Sequence, residues 1–270
     1  MTNDADPLSR KTKLENSTIV GRRRLVQGLT ASAGAPIFLG SARTLNATEA
    51  SPVCREWRQP SNADFVATIG KDKAEFIDRV LFVLENEIVP KTMEGVRAGN
   101  KLFGAAILRK SDLSTVLAAT NAESDNPLLH GEVTAIFQFY NIPKEHRPSP
   151  KDTIFIATHE PCPLRHSNNS WGRFDNFFYL FTYEDSRDAY GIPHDIVMLD
   201  EIFRAPDGTY SEKNKFWSSW GLRDLIATTS PEQQASFTKR IDALKQTYSK
   251  MSNIYQQAKA AGKGADVPLK

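Results

Sequence analysis

Apolar residues in the first third of the chain recur at helical spacing and predict an amphipathic helix over about residues 73–89. The residues that define this stripe are Phe76, Ile77, Val80, Leu81, Leu84, Ile88 and Val89. Pro90 either ends the helix or marks a kink, because proline lacks the N–H group that a helix interior uses. Met93 and Val96 continue the apolar pattern toward Gly99-Asn100, a sequence typical of a helix end.

Short apolar runs downstream of this helix predict strands. They lie at residues 102–108, 114–119, 153–157 and 177–182, with 196–199 as a further candidate. The first two are joined by a turn at Ser111-Asp112 and predict a hairpin. A helix that opens near His130 precedes the third strand, and its predicted buried residues are Val133, Ile136, Phe137 and Tyr140. Strands that alternate with helices indicate a layered α/β fold.

The C-terminal part of the chain carries a strong helix signal. Ser230, Pro231 and Gln233 provide an N-cap residue, a proline at the first helical position and a capping-box partner. One apolar stripe follows, formed by Phe237, Ile241, Leu244, Tyr248, Met251 and Tyr255. This helix is expected to pack on its own domain, with a subunit contact as the alternative.

Composition and the N-terminal segment define the domain organisation. The chain has 270 residues, 40% of them hydrophobic and 24% charged, which describes a globular protein. Its net charge of +2 is too small to indicate a nucleic-acid partner. Arg22-Arg23-Arg24 precede a moderately apolar run, as in a twin-arginine export signal, and that run is too short for a stable membrane span. We expect a twin-arginine signal at 1–42, a linker at 43–61, the main domain at 62–225 and a C-terminal helix and tail at 226–270. The protein is therefore expected to be exported, in a bacterium to the periplasm.

Two short motifs about thirty residues apart carry the candidate chemistry. The first is His130-Gly131-Glu132, at the predicted start of a helix, and the second is Glu160-Pro161-Cys162, directly after a predicted strand. A histidine and a cysteine are typical zinc ligands, and a nearby glutamate can take and return the proton of a metal-bound water. Taken alone, each of these three residues has an ordinary structural interpretation. Their combination favours a hydrolytic metal site.

At these residues the chain resembles the cytidine-deaminase-like superfamily, especially the guanine and tRNA adenosine deaminases, whose signature is H-x-E followed by P-C-x-x-C. The resemblance covers roughly residues 73–205 and includes Phe103-Gly104-Ala105-Ala106. It implies a three-layer α/β/α sandwich around a five-stranded mixed sheet. It also implies zinc bound by His130 and Cys162, proton transfer by Glu132, and recognition of a nucleobase or nucleoside by Asn121 and Phe103. A homodimer is implied as well.

One position departs from the family pattern. Arg165 stands where the second cysteine ligand belongs, and Ser, Asn and Gly residues follow it up to position 173. In one interpretation, His166 replaces the missing zinc ligand. In a second, the site has lost zinc, and the protein is a non-catalytic binder of a purine-like ligand. In a third, two compensating frameshifts have altered this stretch of an ordinary deaminase.

Overall fold

A five-stranded mixed sheet forms the centre of the computed structural model, which describes residues 59–262. Its strands are β1 (Gly104–Arg109), β2 (Thr115–Thr120), β3 (Thr153–His159), β4 (Asn176–Phe181) and β5 (Ser218–Gly221), in the order β2-β1-β3-β4-β5. β1 runs antiparallel to β2 and β3, whereas β3, β4 and β5 are parallel. The predicted α/β fold class is confirmed. The predicted export signal, nearly all of the linker and the last eight residues lie outside the described part.

One face of the sheet is covered by the N-terminal and C-terminal helices. These are α1 (Asn62–Ile69), α2 (Lys73–Val83), α3 (Val89–Arg97), α7 (Leu222–Ile226) and α8 (Pro231–Ala260). A π-helical turn, Leu84–Ile88, joins α2 to α3. Pro90 therefore marks an irregularity within a continuing helix and does not end it. None of the helices within residues 59–262 is both long enough and apolar enough to cross a membrane.

α8 begins as its sequence predicts. Ser230 accepts a hydrogen bond from the Gln233 N–H, and the Gln233 side chain accepts one from the Ser230 N–H, which completes a capping box. All six residues of the predicted apolar stripe are buried. They pack with residues of α2 and α3 in the same hydrophobic core, so α8 is part of the main domain rather than an appendage.

The opposite face of the sheet carries the helices that position the site. They are α4 (Gly131–Asn141), α5 (Pro163–Trp171) and α6 (His194–Phe203). Ala135 and Phe139 of α4 pack on the alternate residues of β1, β3 and β4 that point to this side. The Tyr140 hydroxyl donates to the carbonyl of Gly172 at 2.8 Å, which ties the C-terminal end of α4 to the C-terminal end of α5.

Three sequence predictions fail in this region. Residues 196–199 belong to helix α6, which begins directly after Pro193, and not to a strand. The edge strand β5 was missed, since Ser218 and Gly221 make its sequence unlike a typical strand. The buried face of α4 is also rotated from the prediction. Phe137 is 61% exposed and Glu132 is fully buried, because the Glu132 carboxylate has an ionic partner in the interior.

Candidate functional site

The N-terminus of α4 brings His130 and Glu132 to the N-terminal end of strand β1. His130 is the N-cap residue of α4, and Glu132 lies in the first turn. The helix start presses against the sheet, because a Cβ atom on Gly131 would lie 2.8 Å from the Gly104 Cα and 2.9 Å from the Phe103 carbonyl oxygen. Only glycine permits this close backbone approach. The H-x-E motif is thereby held at a fixed place above β1.

Cys162 approaches His130 from the neighbouring helix. It is the N-cap residue of α5, and its Sγ atom lies 3.8 Å from Nδ1 of His130. Zinc–nitrogen and zinc–sulfur bond lengths with tetrahedral angles predict a separation of about 3.6 Å for two ligands of one zinc ion. The two predicted ligands are therefore close to the separation of two corners of a zinc tetrahedron.

Arg165 occupies the position of the third ligand and binds the carboxylates of the site. Its Nη1 donates to both oxygens of Glu132, at 2.9 and 3.1 Å, and its Nη2 donates to Asp195 Oδ2 at 2.8 Å. The side chains of Arg165 and Glu132 are completely buried, and that of Asp195 is nearly so. The guanidinium also lies over the ring of Phe103, 5.3 Å from its centroid. Arg165 is thus enclosed between two anions and an aromatic face.

Burial sets the protonation states of the site. It lowers the pKa of His130 to about 3, helped by the positive charges of Arg165 and Lys101, so His130 is neutral at pH 7. Burial raises the pKa of the Cys162 thiol despite the nearby Arg165, which favours the neutral thiol over the thiolate. Burial also raises the pKa of Glu132, and Arg165 acts in the opposite direction.

His166, the alternative third ligand, lies in a different environment. Its Nε2 is 3.1 Å from the hydroxyl of Tyr183, and its ring stacks on Trp217 at a centroid distance of 5.2 Å. The Tyr183 hydroxyl donates to the Pro161 carbonyl, so the hydrogen between Tyr183 and His166 belongs to Nε2. Within residues 59–262, no group of three His, Cys, Asp or Glu side chains is arranged to hold a metal. The structure therefore does not bring His166 together with His130 and Cys162.

The residues present do not fit a catalytic zinc ion. Such a site needs three protein ligands, and the described residues bring together only His130 and Cys162. The guanidinium at position 165 adds a fixed positive charge beside them, which opposes binding of a divalent cation. Glu132, the predicted proton carrier, is already bound by that guanidinium.

The predicted substrate-binding residues are both buried. The Asn121 carbonyl oxygen accepts a hydrogen bond from the Gly131 N–H, while its Nδ2 has no hydrogen-bond partner in the described part of the chain. Phe103 packs between Arg165 and His159, whose ring centroid lies 4.7 Å away. Asn121 therefore has an unused donor, whereas the ring of Phe103 is engaged within the protein.

Sequence reasoning missed three charged residues of the site. Asp195 is the second carboxylate of Arg165, and it lies in the first turn of α6, a segment that was predicted as a strand. Glu123 lies 3.8 Å from His130 Nε2. It also forms an ion pair with the buried Lys101, whose Nζ is 3.1 Å away. A usable signal existed for Asp195 alone: an arginine in a buried ligand position requires carboxylates nearby.

Comparisons with known proteins give structural likeness only. No family model and no curated protein matches the sequence. Guanine deaminase from Bacillus subtilis is 24% identical, and the match covers 63% of this chain and 93% of that one with a TM-score of 0.38. Guanine deaminase from Nitrosomonas europaea is 15% identical over 60% of this chain and 92% of its own, with a TM-score of 0.34. A deaminase that edits A to I at position 34 of tRNA is 15% identical over 56% and 100%, also with a TM-score of 0.34. At these TM-scores, a functional assignment has to come from the residues themselves.

Proposed function

We propose that this domain is a nucleobase or nucleoside deaminase whose zinc-dependent hydrolysis is impaired by Arg165. The observation that carries the proposal is the 3.8 Å approach of Cys162 Sγ to His130 Nδ1 at the starts of two adjacent helices. The sequence patterns around these two residues match the deaminase signature except at Arg165, which stands in place of its second cysteine. His130 and Cys162 support descent from a deaminase. The arginine one helical turn after Cys162 accounts for the impaired hydrolysis.

The impairment concerns proton transfer as well as metal binding. Hydrolytic deamination needs a carboxylate that takes a proton from water and delivers it to the ring and the leaving amine. Arg165 holds both oxygens of Glu132, and neither side chain is exposed to solvent. A carboxylate held in this way is not available to a water molecule or a substrate unless its buried ion pair with Arg165 is broken first.

A second candidate function is binding of a purine-like ring without turnover. It is favoured by Asn121, whose carbonyl oxygen is fixed by Gly131 while its buried Nδ2 donor lacks a partner. An acceptor atom on a nucleobase would satisfy this donor, since buried polar groups in proteins are nearly always hydrogen-bonded. In this case, Asn121→Ala should weaken binding of guanine measured by calorimetry, while the unchanged protein releases no ammonia.

Replacement of the arginine tests the main proposal. Arg165→Cys should supply the third thiolate ligand, free Glu132, and raise the zinc content measured by atomic absorption to about one ion per chain. Ammonia release from a panel of nucleobases and nucleosides should rise with it. Arg165→Met is the matched control, because it removes the charge without adding a ligand and should bind little zinc.

Two outcomes would count against the proposal. If the unchanged protein binds zinc and deaminates as fast as Arg165→Cys, the guanidinium does not impair the site. If zinc is then lost in His166→Ala, His166 acts as a ligand after a rearrangement that the structure does not display. If Arg165→Cys folds and binds zinc but deaminates none of these substrates, the deaminase assignment itself fails.

We also propose export through the twin-arginine signal at residues 1–42, which lies outside the described residues, and assembly as a homodimer. The sequence order of basic, apolar and small residues supports export. N-terminal sequencing of mature protein should find a new terminus near residue 42, and an intact Met1 on cytoplasmic protein would contradict it. Sedimentation equilibrium should give twice the mass of the mature chain.

A further inference from the structure

A separate polar cavity is lined in part by Glu160, which comes two residues before Cys162 in the chain. Its volume is about 270 Å³. Its walls carry three carboxylates and several hydroxyl groups, contributed mainly by Glu160, Glu184, Glu212, Tyr179, Tyr183 and Tyr210. None of these side chains takes part in the ion pairs of Arg165 or belongs to the predicted zinc ligands.

Glu160 is the most constrained of these acids. It is only 7% exposed, and its Oε2 accepts a hydrogen bond from the Tyr183 N–H at 3.2 Å. Its own N–H donates to the Phe181 carbonyl at 2.8 Å, which fixes the residue at the end of β3 beside β4. The carboxylate is thus positioned by the sheet and faces the cavity.

No positive charge within residues 59–262 neutralises this cavity. Neither Glu160 nor Glu212 forms an ion pair with a described residue, and the adjacent Lys213 is paired with Asp64 at 2.7 Å. A buried carboxylate without a counter-charge is costly, and a cation in the cavity would remove that cost.

The other walls are suited to an organic cation. The hydroxyl oxygen of Tyr210 is buried, and no described residue donates a hydrogen bond to it, so it is an unused acceptor in the cavity wall. The rings of Tyr183 and Tyr210 lie 6.3 Å apart at an interplanar angle of 67°. Tyrosine faces and carboxylates together are the groups that bind guanidinium and ammonium ions. A metal ion is less suited, because the described residues contain no metal-binding group of three acidic, His or Cys side chains.

We propose that this cavity binds an organic cation that carries N–H donors, a guanidinium or a primary ammonium group. Glu160 and Glu212 supply the negative charge, and Tyr210 supplies a hydroxyl acceptor. Such a cation has two sources. It can be a free small molecule, or it can be a guanidinium of the chain itself, since Arg55 and Arg58 lie just before Gln59 in the sequence and Gln59 lines the cavity.

Calorimetric titration of the full chain with methylguanidinium chloride tests this proposal. Urea, which has a similar shape without the charge, and tetramethylammonium, which has the charge without N–H donors, are the matched ligand controls. We expect methylguanidinium to bind most tightly. Glu160→Gln, which keeps an oxygen acceptor for the Tyr183 N–H, should weaken binding by about tenfold or more. Glu212→Gln, at a more exposed position, provides a second variant if Glu160→Gln does not fold.

The double variant Arg55→Gln/Arg58→Gln distinguishes the two sources. If a free molecule is the natural ligand, the unchanged chain and the double variant should bind methylguanidinium equally. If the chain supplies its own guanidinium, only the double variant should bind it. Absence of binding to both proteins, equal binding of urea, or unchanged affinity in both folded glutamate variants would overturn the proposal.

Discussion

The variant Glu132→Gln tests whether Glu132 is a partner in a structural ion pair or serves catalysis alone. Arg165 Nη1 lies 2.9 and 3.1 Å from the two oxygens of Glu132, and both side chains are fully buried. Removing one partner of a buried ion pair typically costs about 3–5 kcal/mol, because the remaining charge is left uncompensated. Asp195 still holds Nη2 at 2.8 Å, so we expect the lower end of that range, about 3 kcal/mol.

Urea unfolding of the unchanged chain and the variant measures this loss directly. A double-mutant cycle with Arg165→Met provides the control, because the double variant has no buried guanidinium to compensate. It should be more stable than the sum of the two single changes predicts, by about 2 kcal/mol. A glutamate that served catalysis alone would tolerate the neutral, nearly isosteric glutamine. A change in unfolding free energy within about 0.5 kcal/mol of zero would therefore refute the ion-pair interpretation.

Three further changes test other parts of the structure. Burial, helped by Arg165, lowers the pKa of His166 in the folded protein to about 3. As the pH drops below about 6.5, the unfolded chain therefore takes up a proton at His166 before the folded protein does. This proton uptake lowers the unfolding free energy by up to about 1.4 kcal/mol per pH unit. His166→Phe should flatten this slope between about pH 6.5 and 4 in urea titrations, and an unchanged slope would contradict the assignment. Asn169 is fully buried, and neither polar atom of its side chain has a hydrogen-bond partner among residues 59–262. Asn169→Leu should therefore raise the unfolding free energy by about 1–2 kcal/mol, and a loss of stability would show that the amide has a partner. Gly131→Ala should lower the melting temperature because its Cβ would meet backbone atoms at 2.8 and 2.9 Å, whereas Gly95→Ala, which meets a Thr120 methyl group at 3.3 Å, should change it little.

The helices and the central strands could be predicted because their signals are local. The stripe of α8, its capping box and the buried runs of β1, β3 and β4 each depend on residues that are near neighbours in sequence. β5 and α6 could not be predicted in this way. β5 is a strand because it pairs with β4, and Ser218 and Gly221 carry little strand preference of their own. In α6, a four-residue apolar run is too short to distinguish the two periodicities.

The same distinction between local and long-range signals applies to the residues of the candidate site. The positions of His130 and Glu132 at a helix start, and of Cys162 shortly after a strand, follow from motifs of three residues each, and the structure places them there. The partner of Arg165 was not predictable, because Asp195 lies thirty residues further along the chain and in a misassigned element. A missing ligand is visible in a sequence, whereas the group that compensates for it depends on the packing of α6. The positive charge that closes the site to zinc is therefore also the charge that holds α4, α5 and α6 together. For this reason, Arg165→Cys should restore the metal only at some cost in stability, unless zinc itself replaces the lost attraction for the two carboxylates.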